Sequence, residues 1–126
     1  MEILIADDDP VVRHLLGSIL KANGHTVELK ESGEAAIAYL REKVAAGALP
    51  NVVLLDLQLL DMSGSEVLTT VRSFEGAEDL PILILSANKE TEVLQLHPEL
   101  AAANGFLEKP FPPDVVLSAI AAVATG

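Results

Sequence analysis

The chain has 126 residues, half of them apolar, and its formal net charge at pH 7 is −11. This composition excludes a disordered tail, and the eight scattered Lys and Arg residues argue against nucleic-acid binding through a basic patch and against an anionic membrane surface. The absence of Cys excludes disulfides, thiolate catalysis and cysteine zinc sites. No apolar stretch reaches the length of a membrane span, and no secretion signal precedes the first strand, so we expect one cytoplasmic domain over residues 1–126.

The first half of the chain alternates between apolar runs and helical patterns. Residues 2–6 (EILIA) predict a buried strand, and Asp9 with Pro10 predicts a helix start, with Asp9 as the N-cap. Residues 25–29 (HTVEL) alternate as a strand does, and Ser32 can cap a second helix. The pattern is therefore strand, helix, strand, helix.

The second half continues this alternation. Residues 52–55 (VVLL) predict a fully buried strand that ends at Asp56, and Ser63 to Glu66 fits a capping box at the start of a third helix. Residues 82–85 (ILIL) predict a fourth strand that ends at Ser86.

Two helices and a short strand complete the chain. A fourth helix is expected between Lys89 and Ala103, and His97-Pro98 should kink or split it, because proline cannot donate a helical hydrogen bond. A fifth strand follows at residues 106–108 and ends at Lys109. The last helix is expected from Asp114 to about Val123.

Five strands alternating with five helices predict a parallel sheet with helices on both faces. We expect the doubly wound, flavodoxin-like α/β fold with strand order 2-1-3-4-5. In such sheets ligands bind outside the carboxyl ends of the strands, at the switch point. The polar residues at predicted strand ends are Asp7, Asp8, Asp56, Ser86 and Lys109.

These groups predict a phosphoryl site. Three carboxylates in one crevice need a counter-charge, and Mg²⁺ takes such oxygen ligands together with phosphate oxygens. Lys109 would supply a second positive charge and Ser86 a hydroxyl group. The carboxylate of Asp56 could then attack phosphorus to form an aspartyl phosphate.

The stretches ILIADDDP, VVLLDLQLLDMSG, PILILSA and GFLEKPF, in this order and spacing, resemble the response-regulator receiver domain of two-component signalling. The resemblance covers essentially the whole chain. It implies that Asp56 is the phosphoacceptor, that Asp8 binds Mg²⁺ directly and Asp7 mainly through water, and that the backbone carbonyl of Gln58 is a further ligand. It also implies a cis peptide bond between Lys109 and Pro110.

The resemblance further implies how the phosphoryl group is bound and sensed. Ser86, Ala87 and Lys109 would bind it, and Phe106 would turn inward when the Ser86 hydroxyl moves. The expected donor is a phosphohistidine on a sensor histidine kinase or phosphotransfer protein. The output would be a shift of the helix 4–strand 5–helix 5 surface, in a signalling protein rather than a turnover enzyme. Gln58 and Asn88 flank the site and are expected to set the lifetime of the phosphoryl group.

The last helix (DVVLSAIAAV) has almost no polar face, which predicts a partner or a second copy of the chain on its outer side. The expected homodimer or partner surface comprises Leu94, Leu100, Val116 and Ile120, with Leu96 as a further candidate.

Two alternatives remain open from the residues alone. A haloacid-dehalogenase-like phosphatase also uses a strand-end Asp with Mg²⁺, although that family needs a second acid two residues later, where this chain has Gln58. The other alternative is a receiver-like module that is never phosphorylated. No effector domain is recognisable in the sequence, so we expect a stand-alone receiver.

Overall fold

The structure is a computed structural model that describes residues 1–124. Five strands alternate with five helices, and a 3₁₀ helix follows the fourth of them. The strands are β1 (Glu2–Ala6), β2 (Thr26–Lys30), β3 (Val52–Asp56), β4 (Ile82–Ser86) and β5 (Gly105–Glu108). The helices are α1 (Pro10–Ala22), α2 (Gly33–Ala46), α3 (Gly64–Arg72), α4 (Glu90–Leu96), the 3₁₀ helix (Pro98–Ala102) and α5 (Pro113–Val123).

The sheet is parallel throughout, and its strand order is β2-β1-β3-β4-β5. The predicted flavodoxin-like fold is thereby confirmed. β1 and β3 are neighbours, with Ala6 opposite Leu55, so the residues that follow these two strands leave the sheet side by side. This is the switch point at which the functional residues were predicted to meet.

Apolar side chains from the two faces of the sheet form two cores. One core joins the sheet to α2, α3 and α4, and the other joins it to α1 and α5. The central strands are buried on both faces, which is why their sequences are continuously apolar. The burial extends to the carboxyl ends of these two strands, Asp56 and Ser86.

Local side-chain chemistry sets the helix boundaries. The Asp9 carboxylate accepts a hydrogen bond from Val11 N, and the Ser32 and Ser63 hydroxyls accept bonds from backbone amides three residues later. α4 ends before Pro98 and the chain continues as a 3₁₀ helix, so the predicted split is confirmed. β2 begins at Thr26, one residue later than predicted.

The predicted partner surface was wrong at three of its four residues. Leu100, Val116 and Ile120 have exposed fractions of 0%, 0% and 1%, because they point into the two cores. Leu94 is half-buried and also packs against a core. The apolar surface that α4, the 3₁₀ helix and α5 expose is therefore smaller than the sequence indicated.

The apolar side chains that α4 and α5 do expose are Leu96 and Val115, with exposed fractions of 77% and 44%. Both lie on the side of these helices that faces away from the sheet. Within residues 1–124, every helix is too short or too polar to cross a bilayer.

Candidate functional site

The carboxyl ends of β1, β3, β4 and β5 surround a cavity of about 470 Å³. The strand-end residues predicted from the sequence meet here, because neighbouring strands of a parallel sheet end at the same edge. The lining residues are Asp8, Asp9, Asp56, Leu57, Gln58, Leu59, Leu60, Ser86, Ala87, Asn88 and Lys109.

Asp7 belongs to a cluster with Asp8 and Asp56 and is fully buried behind the cavity wall. One carboxylate oxygen accepts a hydrogen bond from Asp9 N at 2.9 Å, and the other accepts one from Lys109 Nζ at 3.1 Å. Its backbone carbonyl accepts a bond from Arg13 Nη1 at 2.7 Å. These contacts fix the position of the carboxylate from both sides.

Asp56 lies beside Asp7 and is 7% exposed. Its Oδ1 is 3.5 Å from Lys109 Nζ and accepts a long hydrogen bond from Gln58 N at 3.4 Å. Asp7, Asp8 and Asp56 each offer a carboxylate oxygen within 4.8 Å of the others. The predicted convergence of the three acids and the lysine is present.

The charges in this cluster do not balance. Burial, together with the negative charge of Asp7, raises the pKa of Asp56 from 3.8 to about 6, although Lys109 and the Gln58 amide act in the opposite direction. Burial lowers the pKa of Lys109, but the charges of Asp56 and Asp7 outweigh it, and the pKa is raised overall. The single ammonium group of Lys109 contacts Asp7 and Asp56, two of the three carboxylates in the cluster.

The donor set fits Mg²⁺. The three acids supply hard oxygen atoms from two neighbouring strands, and their excess negative charge favours a divalent cation. The site contains no His or Cys that would favour a softer metal, as judged from the residues that line it.

Ser86 and its neighbours form the opposite wall. The Ser86 side chain is 3% exposed, and its Oγ accepts a hydrogen bond from Asn88 N at 3.0 Å. Ala87 and Asn88 are exposed and line the cavity. Phe106 does not line the cavity; it lies opposite Ile84 in the sheet register and packs half-buried against a core.

The predicted cis peptide bond between Lys109 and Pro110 is also present. It immediately follows the lysine whose ammonium group contacts Asp7 and Asp56.

Sequence reasoning missed three residues around the site. Arg13 was not singled out, although it lies one helical turn after the Asp9 cap, at the spacing that returns a side chain to the loop before α1. Asp61 accepts hydrogen bonds from Gly33 N and Glu34 N, and a contact across 27 or 28 residues leaves no local signal. Gly64 lies against the backbone of Asp56 and Leu57, and its place within the DMSG stretch was the available signal.

Comparisons with known proteins agree with this geometry. A protein-family model described as "Response regulator receiver domain" matches residues 3–121. The response regulator MprA of Mycolicibacterium vanbaalenii is 33% identical over 123 residues, which are 98% of this chain and 50% of that protein. The MprA protein of Mycobacterium leprae is 34% identical with the same coverage. The chain therefore spans about half the length of these curated relatives.

Solved structures show the same fold. A putative response regulator from Chloroflexus aurantiacus superposes with a TM-score of 0.86 at 27% identity, covering 99% of this chain and 98% of that one. The chemotaxis protein CheY4 of Vibrio cholerae gives 0.84 at 30% identity, covering 97% of each chain. The receiver domain of the sensor histidine kinase PA1611 from Pseudomonas aeruginosa, described with a magnesium ion coordinated in its active site cleft, gives 0.88 at 23% identity, covering 99% of this chain and 98% of that one, a likeness of fold alone.

Proposed function

Because the chain belongs to the response regulator receiver domain family, we propose that it accepts a phosphoryl group on Asp56 in a two-component phosphorelay. The donor is a phosphohistidine on a sensor histidine kinase or phosphotransfer protein. The single observation that carries this proposal is the contact of Lys109 Nζ with both Asp7 and Asp56, at 3.1 and 3.5 Å, beside a cluster of three carboxylates.

The transfer step requires one nucleophile. A carboxylate oxygen of Asp56 attacks the phosphorus atom, a new P–O bond forms, and the P–N bond to the donor imidazole breaks with its electron pair leaving on nitrogen. Lys109 holds the carboxylate through Oδ1 and offers its charge to the oxygens of the arriving group. The exposed cavity mouth gives a partner's histidine access to the site.

Asp7, Asp8, Asp56 and the backbone carbonyl of Gln58 are the proposed Mg²⁺ ligands. When bound, the ion neutralises charge on the transferring phosphoryl group. The chain's part is to hold the acids in place: Asp7 through its bonds to the Asp9 amide and Lys109, and Asp56 by its position at the end of β3.

We propose that the phosphoryl group is then read by Ser86, Ala87, Lys109 and Phe106. The Ser86 hydroxyl would leave its bond to Asn88 N and turn towards a phosphoryl oxygen, and Phe106 would move into the vacated space. Gln58 and Asn88, both at the cavity wall, would set the lifetime of the phosphoryl group. The resulting change would alter the α4–β5–α5 surface.

The chain acts in this proposal as a cytoplasmic signalling protein that takes up one phosphoryl group and does not turn over a substrate. Its output passes to a partner or to a second copy of the chain through the α4–β5–α5 surface, on which Leu96 and Val115 are exposed. Membership of the receiver-domain family argues against the haloacid-dehalogenase-like phosphatase. The remaining alternative is a receiver-like module that is never phosphorylated, and the convergence of the three carboxylates with Ser86 and Lys109 argues against it.

Incubation with acetyl phosphate and Mg²⁺, followed by mass spectrometry of the intact chain, tests the proposal. We expect a mass increase of one phosphoryl group that requires Mg²⁺ and is lost in Asp56→Asn and in Lys109→Met. Asp79→Asn, a carboxylate substitution at the opposite end of the sheet, is the matched control and should label like the unsubstituted chain. No labelling of a folded chain would favour the non-phosphorylated module, and steady turnover of acetyl phosphate would favour a phosphatase.

A further inference from the structure

The loop between β3 and α3, residues 57–63, folds back on itself beside the acidic cluster. Leu59 N donates to the carbonyl of Met62, and Gly64 N donates to the carbonyl of Leu57, so Gln58 and Ser63 lie opposite each other as in a small hairpin. Both bonds flank Gln58, whose carbonyl the proposed function assigns to Mg²⁺. The position of this carbonyl therefore depends on what holds the hairpin.

The tip of this hairpin is attached to the start of α2 by two independent contacts. The Asp61 carboxylate accepts hydrogen bonds from Gly33 N at 2.8 Å and from Glu34 N at 2.9 Å. The next residue, Met62, packs so closely on Gly33 that a Cβ atom there would lie 2.3 Å from Met62 Cγ. Together these contacts join the hairpin to an element that begins about 30 residues earlier in the chain.

We propose that Asp61 is a positioning residue for the metal site: by binding the first two amides of α2, its carboxylate fixes the hairpin and thereby holds the Gln58 carbonyl at the acidic cluster. Asp61 itself lies outside the cluster of three carboxylates and does not line the cavity. This inference rests on the proposed function, because it concerns the same Mg²⁺ site.

The bonds to Asp61 have a clear physical basis. The first amides of a helix have no partner within the helix, and a carboxylate there gains both charge-assisted hydrogen bonds and the helix dipole. Ser32 already binds Ala35 N, so Asp61 completes the N-terminus of α2 from outside the helix. The same two bonds lower the pKa of Asp61, so the carboxylate is charged at neutral pH.

The test compares Mg²⁺ affinity, measured from the rise in melting temperature with Mg²⁺ concentration, between the chain and its Asp61→Ala variant. Glu78→Ala is the matched control, since the Glu78 carboxylate also accepts a bond from a backbone amide, Gly76 N, but at a loop away from the site. The measurement is made at about 0.5 M monovalent salt, where long-range effects of removing one charge are screened.

We expect Asp61→Ala to weaken Mg²⁺ binding by about tenfold, the order found when a partner of a metal ligand is lost, and Glu78→Ala to leave it unchanged. Asp61→Asn, which keeps the shape and one acceptor oxygen, should give a smaller loss and serves if the alanine variant does not fold. If the Asp61 variants melt earlier but bind Mg²⁺ as tightly as the unsubstituted chain, the residue is only structural and the inference fails. Failure of the unsubstituted chain to bind Mg²⁺ would instead overturn the proposed function.

Discussion

The Asp56 carboxylate must be charged to act as the proposed nucleophile, but it lies where a negative charge is unfavourable. The carboxylate is nearly buried and lies beside Asp7, and both features raise its pKa to about 6. Lys109 offsets only part of this cost, because the same ammonium group also serves Asp7. The proposed nucleophile is thus held in an environment that favours the arrival of positive charge and of a group that consumes its negative charge.

The first prediction concerns the free-energy cost of holding a charged Asp56 in this nearly buried position. A carboxyl group whose pKa is higher in the folded chain than the ordinary 3.8 binds its proton more tightly when folded, so its contribution to stability rises as the pH falls from about 7 to about 4. At pH 7 without metal the charged Asp56 should therefore destabilise the fold. We expect Asp56→Asn to raise the free energy of unfolding at pH 7 by about 1–3 kcal/mol.

Urea unfolding in the presence of a chelator, followed by far-ultraviolet circular dichroism at several pH values, measures this difference. The advantage of Asp56→Asn should shrink towards pH 4, where the unsubstituted Asp56 is protonated. A difference between the two chains that is constant from pH 4 to pH 7 would contradict the assignment of the raised pKa to Asp56.

At the scale of elements, the connection from β3 to α3 depends on a close backbone approach. A Cβ atom at Gly64 would lie 2.5 Å from the carbonyl oxygen of Asp56 and 3.0 Å from Leu57 Cα. These are backbone atoms, so they cannot move aside as a side-chain end can. Any side chain at position 64 would push α3 away from the strand end that carries Asp56.

The second prediction is that Gly64→Ala lowers the free energy of unfolding by about 1–3 kcal/mol and weakens Mg²⁺ binding, because the loop next to Asp56 must shift. Gly17→Ala is the matched control: Gly17 is also a buried helical glycine, but its Cβ would meet Leu29 Cδ2 at an ordinary 3.5 Å. That variant should be as stable as the unsubstituted chain or more so, since alanine favours helix. Equal stability of both variants in urea unfolding would show that the contact at Gly64 relaxes freely.

The connection from β3 to α3 also shows which structural features can be predicted from a sequence and which cannot. The helix starts at Asp9, Ser32 and Ser63 are predictable because a cap acts on amides only a few residues away. The end of β3 at Asp56 is predictable because an apolar run stops there. The role of Asp61 depends on α2, about 30 residues away, and no local pattern reveals it. Periodicity likewise could not tell which face of α5 meets the sheet, so Val116 and Ile120 were assigned to the surface.

At the scale of the whole molecule, two helical layers bury the central strands of the sheet and leave few apolar side chains for a partner. On the α4–α5 side these are Leu96 and Val115. A stable interface buries about 800 Å² on each partner, far more than two side chains supply. Each copy also carries a net charge of −11, which opposes the approach of a second copy within the screening length of about 8 Å at physiological salt.

The third prediction is therefore a difference between states. Without a phosphoryl mimic, the chain should sediment as a monomer at tens of micromolar, because Leu96 and Val115 supply too little apolar area to hold a dimer. With Mg²⁺ and a beryllofluoride salt, which together mimic the phosphoryl group, the rearranged α4–β5–α5 surface should allow a second copy to bind, and a dimer should form.

Two variants locate that interface. Leu96→Asp places a charge at the most exposed apolar position of α4 and should keep the chain monomeric with the mimic, whereas Leu15→Asp, at a position on α1 that is 58% exposed, should leave the dimer intact. If the unsubstituted chain stays monomeric in both states, the predicted dimer is wrong. The α4–β5–α5 surface would then be left uncovered by a second copy and free for a different protein. If Leu15→Asp breaks the dimer and Leu96→Asp does not, the copies meet through α1 and the output surface has been placed on the wrong face.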